Sequence, residues 1–186
     1  LGIMEHEAGR MNRLVRDLLQ LSRVEAEERV RPKGEVELRS LLWSVISSLQ
    51  GLAEQEGDRV ELAGDPVTVP GDADQLIQVF TNLIENALKY GKAGQVVRVT
   101  LTPEDTVRGL AVRVEVADEG EGIDPVHLPR LTERFYRVDS HRSREMGGTG
   151  LGLAIVKHIV SRHRGFLRIE SEPGEGSRFS VILPLG

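Results

Sequence analysis

A chain of 186 residues is long enough for one domain of ordinary size with an appendage. Its 39% apolar and 28% charged residues fit a soluble globular protein, and a net charge of −5 without a long basic run argues against a nucleic-acid partner. The absence of cysteine excludes a disulfide scaffold and a thiolate metal site, and no apolar run approaches the ~20 residues of a membrane-spanning helix.

The chain opens at Leu1 inside a helical pattern and reads as a piece of something longer, with any membrane segment upstream. Residues 1 to about 29 form one predicted helix. Met4, Ala8, Met11, Leu14, Val15, Leu18, Leu21 and Val24 recur at spacings of three and four, and Pro32 and Gly34 stop the pattern. The stripe is close to a seven-residue repeat, so a second helix or a second chain is expected to cover it. Val36-Glu37-Leu38 reads as a short strand and Ser40 to Gln55 as a helix. Val60 to Val69 is strand-like, broken at Gly64-Asp65-Pro66. Asp72 is a candidate N-cap for a helix reaching about Tyr90.

Two alternating runs follow, Val96–Leu101 and Leu110–Val116, with a turn around Pro103 and Gly109. Asp118 to Met146 is mostly loop, with a short helical turn near Pro129–Glu133. Leu151 to His163 reads as a helix stopped by Gly165, and Phe166–Ser171 with Arg178–Leu183 as a closing hairpin. Helices interleaved with hairpin-forming strands predict an α+β two-layer sandwich: a mixed sheet covered on one face by helices and preceded by one long helix.

The stretch "GGTGLGLAIV", Gly147 to Val156, suggests a phosphate site, because glycines admit close backbone approach and a helix N-terminus attracts anions. It is not a P-loop, since Leu153-Ala154 stands where Lys and Ser/Thr are needed. It is not a Rossmann fingerprint, since residues 139 to 145 are too polar for a buried strand. Three other stretches join it. In "NLIENALKY", Asn82, Asn86 and Lys89 fall on one helical face, carboxamides that suit Mg²⁺ and a cation that suits phosphate. In "DEGEGI", Asp118 follows a strand and precedes alternating glycines; alone it would read as a turn, but the spacing suits a carboxylate accepting from an amino group beside a flat ring. In "ERFYR", Arg134 or Arg137 could reach a terminal phosphate.

In this order and spacing, the four stretches resemble the N, G1, F and G2 boxes of bacterial sensor histidine kinases, part of the wider group that includes gyrase, heat-shock chaperone and mismatch-repair ATPases. "RMNRLVRDLLQLSRVEA" resembles the second helix of that family's dimerisation and phosphotransfer hairpin, and "SEPGEGSRFSVILP" its closing hairpin. The resemblance implies a Bergerat-type ATP-binding domain over residues 35–186, after a hairpin helix over residues 1–31 whose partner helix is missing. It implies one Mg-ATP site: Asn86 on the metal with Asn82 beside it, Lys89 and Tyr90 on phosphates and ribose or base edge, and Asp118 on the adenine amino group. Gly120, Gly122 and Ile123 would line the base. Arg134 or Arg137 would steady the γ-phosphate. A mobile lid of roughly Arg137 to Gly148 would end in Gly148, Thr149, Gly150, Leu151 and Gly152 under the phosphates.

Where hydrolytic relatives carry a glutamate four residues before the metal asparagine, this chain has Asn82, so water lacks a base and the γ-phosphoryl is left for another acceptor. The acceptor histidine motif is absent; His6-Glu7 lacks the following proline and reads as a helix-face histidine. His127, His141, His158 and His163 show no zinc spacing. The implied reaction is γ-phosphoryl transfer to a histidine outside this chain, then to an aspartate on a response-regulator receiver domain. The implied setting is a homodimer through the helical hairpin, cytoplasmic, held at the inner membrane only by upstream segments. A non-catalytic phosphotransfer adaptor retaining the fold is the alternative, and a gyrase-like ATPase is disfavoured by Asn82.

Overall fold

The computed structural model describes residues 2–134 and 151–186. The first helix, α1 (Gly2–Glu27), behaves as two halves. Near its C-terminus Leu21 and Val24 are buried in the core, whereas Met4, Met11, Val15 and Leu19 stay exposed. The chain's own last helix, α5 (Gly152–Arg162), therefore covers the end of the stripe that the pattern assigned to another helix. Arginines from α5 and the turn after it secure the junction. Arg162 Nε donates to Val30 O (2.8 Å), and Arg164 donates to Glu28 O (3.2 Å) and Arg29 O (3.0 Å). These cations satisfy carbonyls just past the C-terminus of α1, where the helix dipole favours them.

A two-stranded ribbon follows, β1 (Glu35–Glu37) antiparallel to β3 (Thr68–Pro70). Strand β2 (Arg59–Ala63) instead runs parallel to β4 (Val96–Thr106). The apolar run across residues 60 to 69 is thus split between two sheets. The helix expected over Ser40–Gln55 is also two helices, α2 (Leu38–Ser48) and α3 (Gln50–Glu56). Glu37 caps α2 by accepting from Ser40 N (2.8 Å), and the break falls at Leu49. Just before it, the Ser47 and Ser48 hydroxyls donate back to Trp43 O (2.9 Å) and Val45 O (2.7 Å), competing with the helical ladder.

Helix α4 (Ala73–Tyr90) matches its sequence pattern: Asp72 caps it by accepting from Gln75 N (3.1 Å), and Leu76, Val79, Phe80, Leu83, Ile84, Ala87 and Leu88 are all buried. The main sheet runs β2-β4-β5-β7-β6, with β5 spanning Gly109–Ala117, β6 Phe166–Glu172 and β7 Gly176–Pro184. Among the described strands of this sheet, β2–β4 is parallel and the other pairs are antiparallel. Alternate residues, Val97, Val99, Val112, Val114, Val116 and Val181, form the sheet's part of the core, and helices pack on that one face. The expected mixed two-layer architecture is the observed one.

Three local expectations shift. Pro103 lies inside β4 opposite Val112, and the turn contracts to Val107-Arg108. Strand β2 ends opposite Thr100, so among the described residues no strand pairs with that edge of β4 from residue 101 onward, where a residue lacking N–H is tolerated. The short helical turn is a 3-10 helix over Pro125–Arg130, capped by Asp124 rather than starting at Pro129. Helix α5 reverses at Arg164, which takes the left-handed conformation (φ 61°), one residue before the expected Gly165. Gly165 is needed for a different reason: a Cβ there would collide with the Ile182 carbonyl.

His163 joins α5 to the start of α4. It is buried, its Nε2 accepts from Asp72 N (3.0 Å), and its Nδ1 donates to Ile159 O (2.8 Å). Burial pushes its pKa down, aided by Arg162 and Arg31 and opposed by the Ile159 carbonyl and Asp72. A protonated ring would present a donor to the Asp72 N–H. As pH falls below ~6.5 the unfolded chain takes up this proton first, so stability drops until the pH passes the lower folded value. The urea midpoint is expected to fall between pH 7.5 and 5.5, and His163→Gln should lose that component. An equal pH response in wild type and variant would refute the assignment.

Candidate nucleotide site

Helix α4 carries the polar face Asn82, Asn86 and Lys89 opposite its buried side. Asn82 is a brace. Its Oδ1 accepts from Gln78 Nε2 (2.6 Å), and its Nδ2 donates to Gly152 O (3.2 Å) at the start of α5. That bond brings the N-terminus of α5 beside the α4 face on which Asn86 follows one turn later. Leu151, the residue preceding α5, has no side-chain oxygen, and among the described residues no side chain caps this helix; a helix N-terminus without a side-chain cap suits an anion. Gly152 has ordinary space around it, with Asn82 Nδ2 at 3.7 Å from a Cβ position.

Asn86 is half-buried, and its carboxamide makes no hydrogen bond among the described residues. An oxygen free of protein partners fits a hard cation that keeps most of its waters. Lys89 is placed differently from the expectation: its Nζ pairs with Glu85 Oε1 at 2.7 Å, both side chains about one-third exposed. Tyr90 closes the helix with its ring exposed.

At the other end of this face lies Asp118, directly after β5. Its Oδ1 accepts from Gly120 N (2.9 Å) and Ser177 N (3.1 Å). Its backbone N–H donates to Ser177 O (2.9 Å). Oδ2 has no hydrogen bond among the described residues and is the oxygen left for an incoming donor. Burial pushes the Asp118 pKa up, and the two backbone donors offset only part of this. A desolvated carboxylate with one committed oxygen is a strong, directional acceptor.

The glycines around it have steric causes in the protein itself. A Cβ on Gly120 would lie 2.9 Å from Gly91 Cα and 3.1 Å from Tyr90 O, so the loop packs against the end of α4. Gly122 has φ +77°, and a Cβ there would strike the Glu172 carbonyl in the closing hairpin. Ile123 N donates to Ser171 Oγ (2.7 Å), which donates in turn to Gly176 O (3.0 Å). Ser171, Gly176 and Ser177, which no motif singles out, seat the Asp118 loop on the hairpin. The one visible signal is the glycine of "EGS", required because a Cβ on Gly176 would strike the Asp118 carbonyl. From Asn82 to Tyr90 the α4 face is ~12 Å long, with a helix N-terminus at one end and the Asp118 carboxylate at the other.

Arg134 is engaged by an acidic side chain of α1. It pairs with Glu25 of α1, which also lies 3.6 Å from His158 Nε2. Both partners are partly exposed, so the pair is worth ~1 kcal/mol or less and is easily exchanged for another anion. Arg137, Gly148, Thr149 and Gly150, with the rest of the expected lid, lie outside the described residues.

Residues 71–186 match the model of the histidine kinase-, DNA gyrase B- and HSP90-like ATPases. The chain belongs to this family. The match begins just before α4 and takes in Asn82, Asn86, Asp118 and Gly152. Among curated relatives, the phosphate regulon sensor protein PhoR of Pseudomonas aeruginosa is 43% identical over 178 residues, 95% of this chain and 39% of its own length. The sensor-like histidine kinase SenX3 of Mycobacterium tuberculosis is 37% identical over 179 residues, 96% of this chain and 43% of its own length. The chain thus spans about two-fifths of the length of these ATPase-family relatives. Among solved structures, full-length ShkA in complex with AMPPNP superposes with a TM-score of 0.81 at 28% identity, covering 97% of this chain and 37% of that one. The mycobacterial sensor histidine kinase MprB superposes with a TM-score of 0.69 at 27% identity, covering 82% of this chain and 97% of that one.

Proposed function

We propose that this chain is the catalytic ATP-binding part of a two-component sensor histidine kinase, with residues 1–31 as the second helix of a dimerisation and phosphotransfer hairpin and residues 35–186 as the ATP-binding domain. The observation that carries the reading is the α4 face, with Asn86 at its centre and the α5 N-terminus and Asp118 Oδ2 at its ends, the Asn86 carboxamide and Asp118 Oδ2 both without a hydrogen bond among the described residues. Asp118 Oδ2 accepts from the adenine amino group. The first N–H groups of α5 receive the phosphates. Asn86 holds Mg²⁺, which when bound offsets the charge of the polyphosphate.

The reaction breaks the bond between the γ-phosphorus and the β,γ-bridging oxygen and forms a phosphorus–nitrogen bond to a histidine ring outside this chain. Nothing on the domain is modified, so catalysis rests on alignment and charge. Asn82 supports a kinase over a hydrolase: its carboxamide is committed on both sides, to Gln78 and to Gly152, and an amide cannot take a proton from water. Arg134 can leave Glu25 for the γ-phosphate, or Arg137 can serve.

The phosphohistidine then supplies a receiver-domain aspartate, and the exposed half of the α1 stripe is the surface on which a hairpin homodimer would close. No helix among the described residues is long and apolar enough to cross a membrane; a cytoplasmic location with anchoring through upstream segments is part of the proposal.

Calorimetric titration with ATP tests the reading. Saturable, Mg²⁺-dependent binding is expected, with slow hydrolysis, and transfer of the γ-phosphoryl to a histidine-bearing hairpin domain supplied in trans. A folded chain that binds no ATP would sink it.

A further inference from the structure

Gln95 immediately precedes β4 and is only 2% exposed. It belongs to none of the four boxes, yet its carboxamide reaches two of them. Nε2 donates to Ala87 O (2.8 Å), the carbonyl of the residue after Asn86. Oε1 accepts from Glu119 N (2.8 Å), the amide of the residue after Asp118. Among the described residues, no other hydrogen bond joins α4 to residues 118–122.

The carboxamide is itself held by a buried carboxylate. Asp58, 5% exposed, accepts from Gln95 Nε2 (3.3 Å) through Oδ2. Its Oδ1 accepts from Gly94 N (2.8 Å) and Gln95 N (3.1 Å). The space for this bridge is cleared at Gly91, where a Cβ would collide with the Gln95 amide, and Gly120 in turn packs on Gly91 Cα. A buried polar bridge of this kind is an expensive way to fill volume, since an apolar side chain does so without desolvating a charge. What it provides is a fixed separation between two backbone segments.

We propose that Gln95, anchored by Asp58, is a positioning residue that sets the Asp118 carboxylate relative to the Asn86 face of α4, so that base and phosphates are gripped in register. This rests on the reading of Asp118 as the acceptor for the adenine amino group. Without the bridge, Asp118 keeps its Ser177 and Gly120 partners, but the loop loses its tether to α4 and the two ends of the site drift apart.

The test titrates the 186-residue chain and its Gln95→Met variant with ATP and with purine riboside triphosphate, which lacks the 6-amino group. Wild type is expected to prefer ATP. In Gln95→Met the ATP affinity should fall about tenfold and the preference should shrink toward one, because the lost interaction is at the amino group. A general loss of structure would weaken both ligands alike. A wild-type ratio of one overturns the Asp118 reading and this inference with it. A wild-type preference that survives unchanged in a folded Gln95→Met overturns the inference alone. Should Gln95→Met not fold, amide exchange in the wild-type chain decides: Glu119 N–H is expected to exchange as slowly as the Gln95 N–H, and rapid exchange there refutes the tether.

Discussion

Asp118→Asn is expected to lose ATP binding by about a hundredfold or more while melting at or above the temperature of the wild-type chain. The two halves of this result have one cause. Asparagine keeps an oxygen for Gly120 N and Ser177 N, so the loop retains both of its side-chain bonds. The other position becomes an NH₂ group facing the adenine amino group, donor against donor. Burial pushes the Asp118 pKa above its ordinary value, and the backbone donors Gly120 N and Ser177 N offset only part of this. Such a group contributes stability fully only below its unfolded pKa of ~3.9, and that contribution is lost as pH rises through the folded value. At neutral pH the ionised carboxylate is therefore a cost to the fold that asparagine relieves, as expected where a site keeps a charge for function. A thermal melt at pH 7 and a calorimetric titration check both halves. Binding within a few-fold of wild type would move base recognition elsewhere, and a fall of several degrees in the melting temperature would mean that the charge stabilises the fold.

How far the sequence could be read depends on the range of the forces involved. Helix α4 was legible because its cap and its seven buried apolar residues are local and periodic. The hairpins were legible for the same reason. The break at Leu49 was hidden because Leu49 and Leu52 keep helical spacing across it, while the Ser47 and Ser48 bonds that end the ladder leave no trace in an apolar pattern. The division of residues 60 to 69 between two sheets was hidden because strand partners are chosen at long range: Val60 pairs with Val97 and Val69 with Val36.

The site shows the same contrast. Asn82, Asn86 and Asp118 announce themselves by spacing. The residues that seat them, Gln95, Asp58, Ser171 and Ser177, are single polar letters in unrelated stretches, and the Asp58–Gln95 bond spans 37 positions. Arg134 carries the opposite lesson. A motif suggests a phosphate partner, but the folded chain offers it Glu25, 109 positions away, and gives that contact first claim until an anion competes.

Asn82 and Asn86 lie four residues apart on one helix face, yet their alanine variants are expected to fail in different ways. Asn82→Ala removes a brace. Gln78 loses its acceptor, Gly152 O loses its donor, and α4 is no longer tied to the start of α5. The expected cost is ~1 kcal/mol of stability, read as a drop of ~2–4 °C in melting temperature, with ATP binding weakened in proportion to the loosened α5 N-terminus. Asn86→Ala removes no hydrogen bond among the described residues, and alanine is the better helix former, so the melting temperature should hold or rise. Its loss lies in the metal: ATP affinity in Mg²⁺ should fall to the metal-free level, and transfer to a supplied histidine domain should slow by roughly 10²–10³, the usual cost of removing one preorganised charge-stabilising contact. Titrations with and without Mg²⁺, set beside melts of both variants, separate the two roles. If Asn86→Ala kept its Mg²⁺ dependence while Asn82→Ala lost it, the metal ligand would be the residue bonded to α5, and the unengaged carboxamide of Asn86 would need a different use.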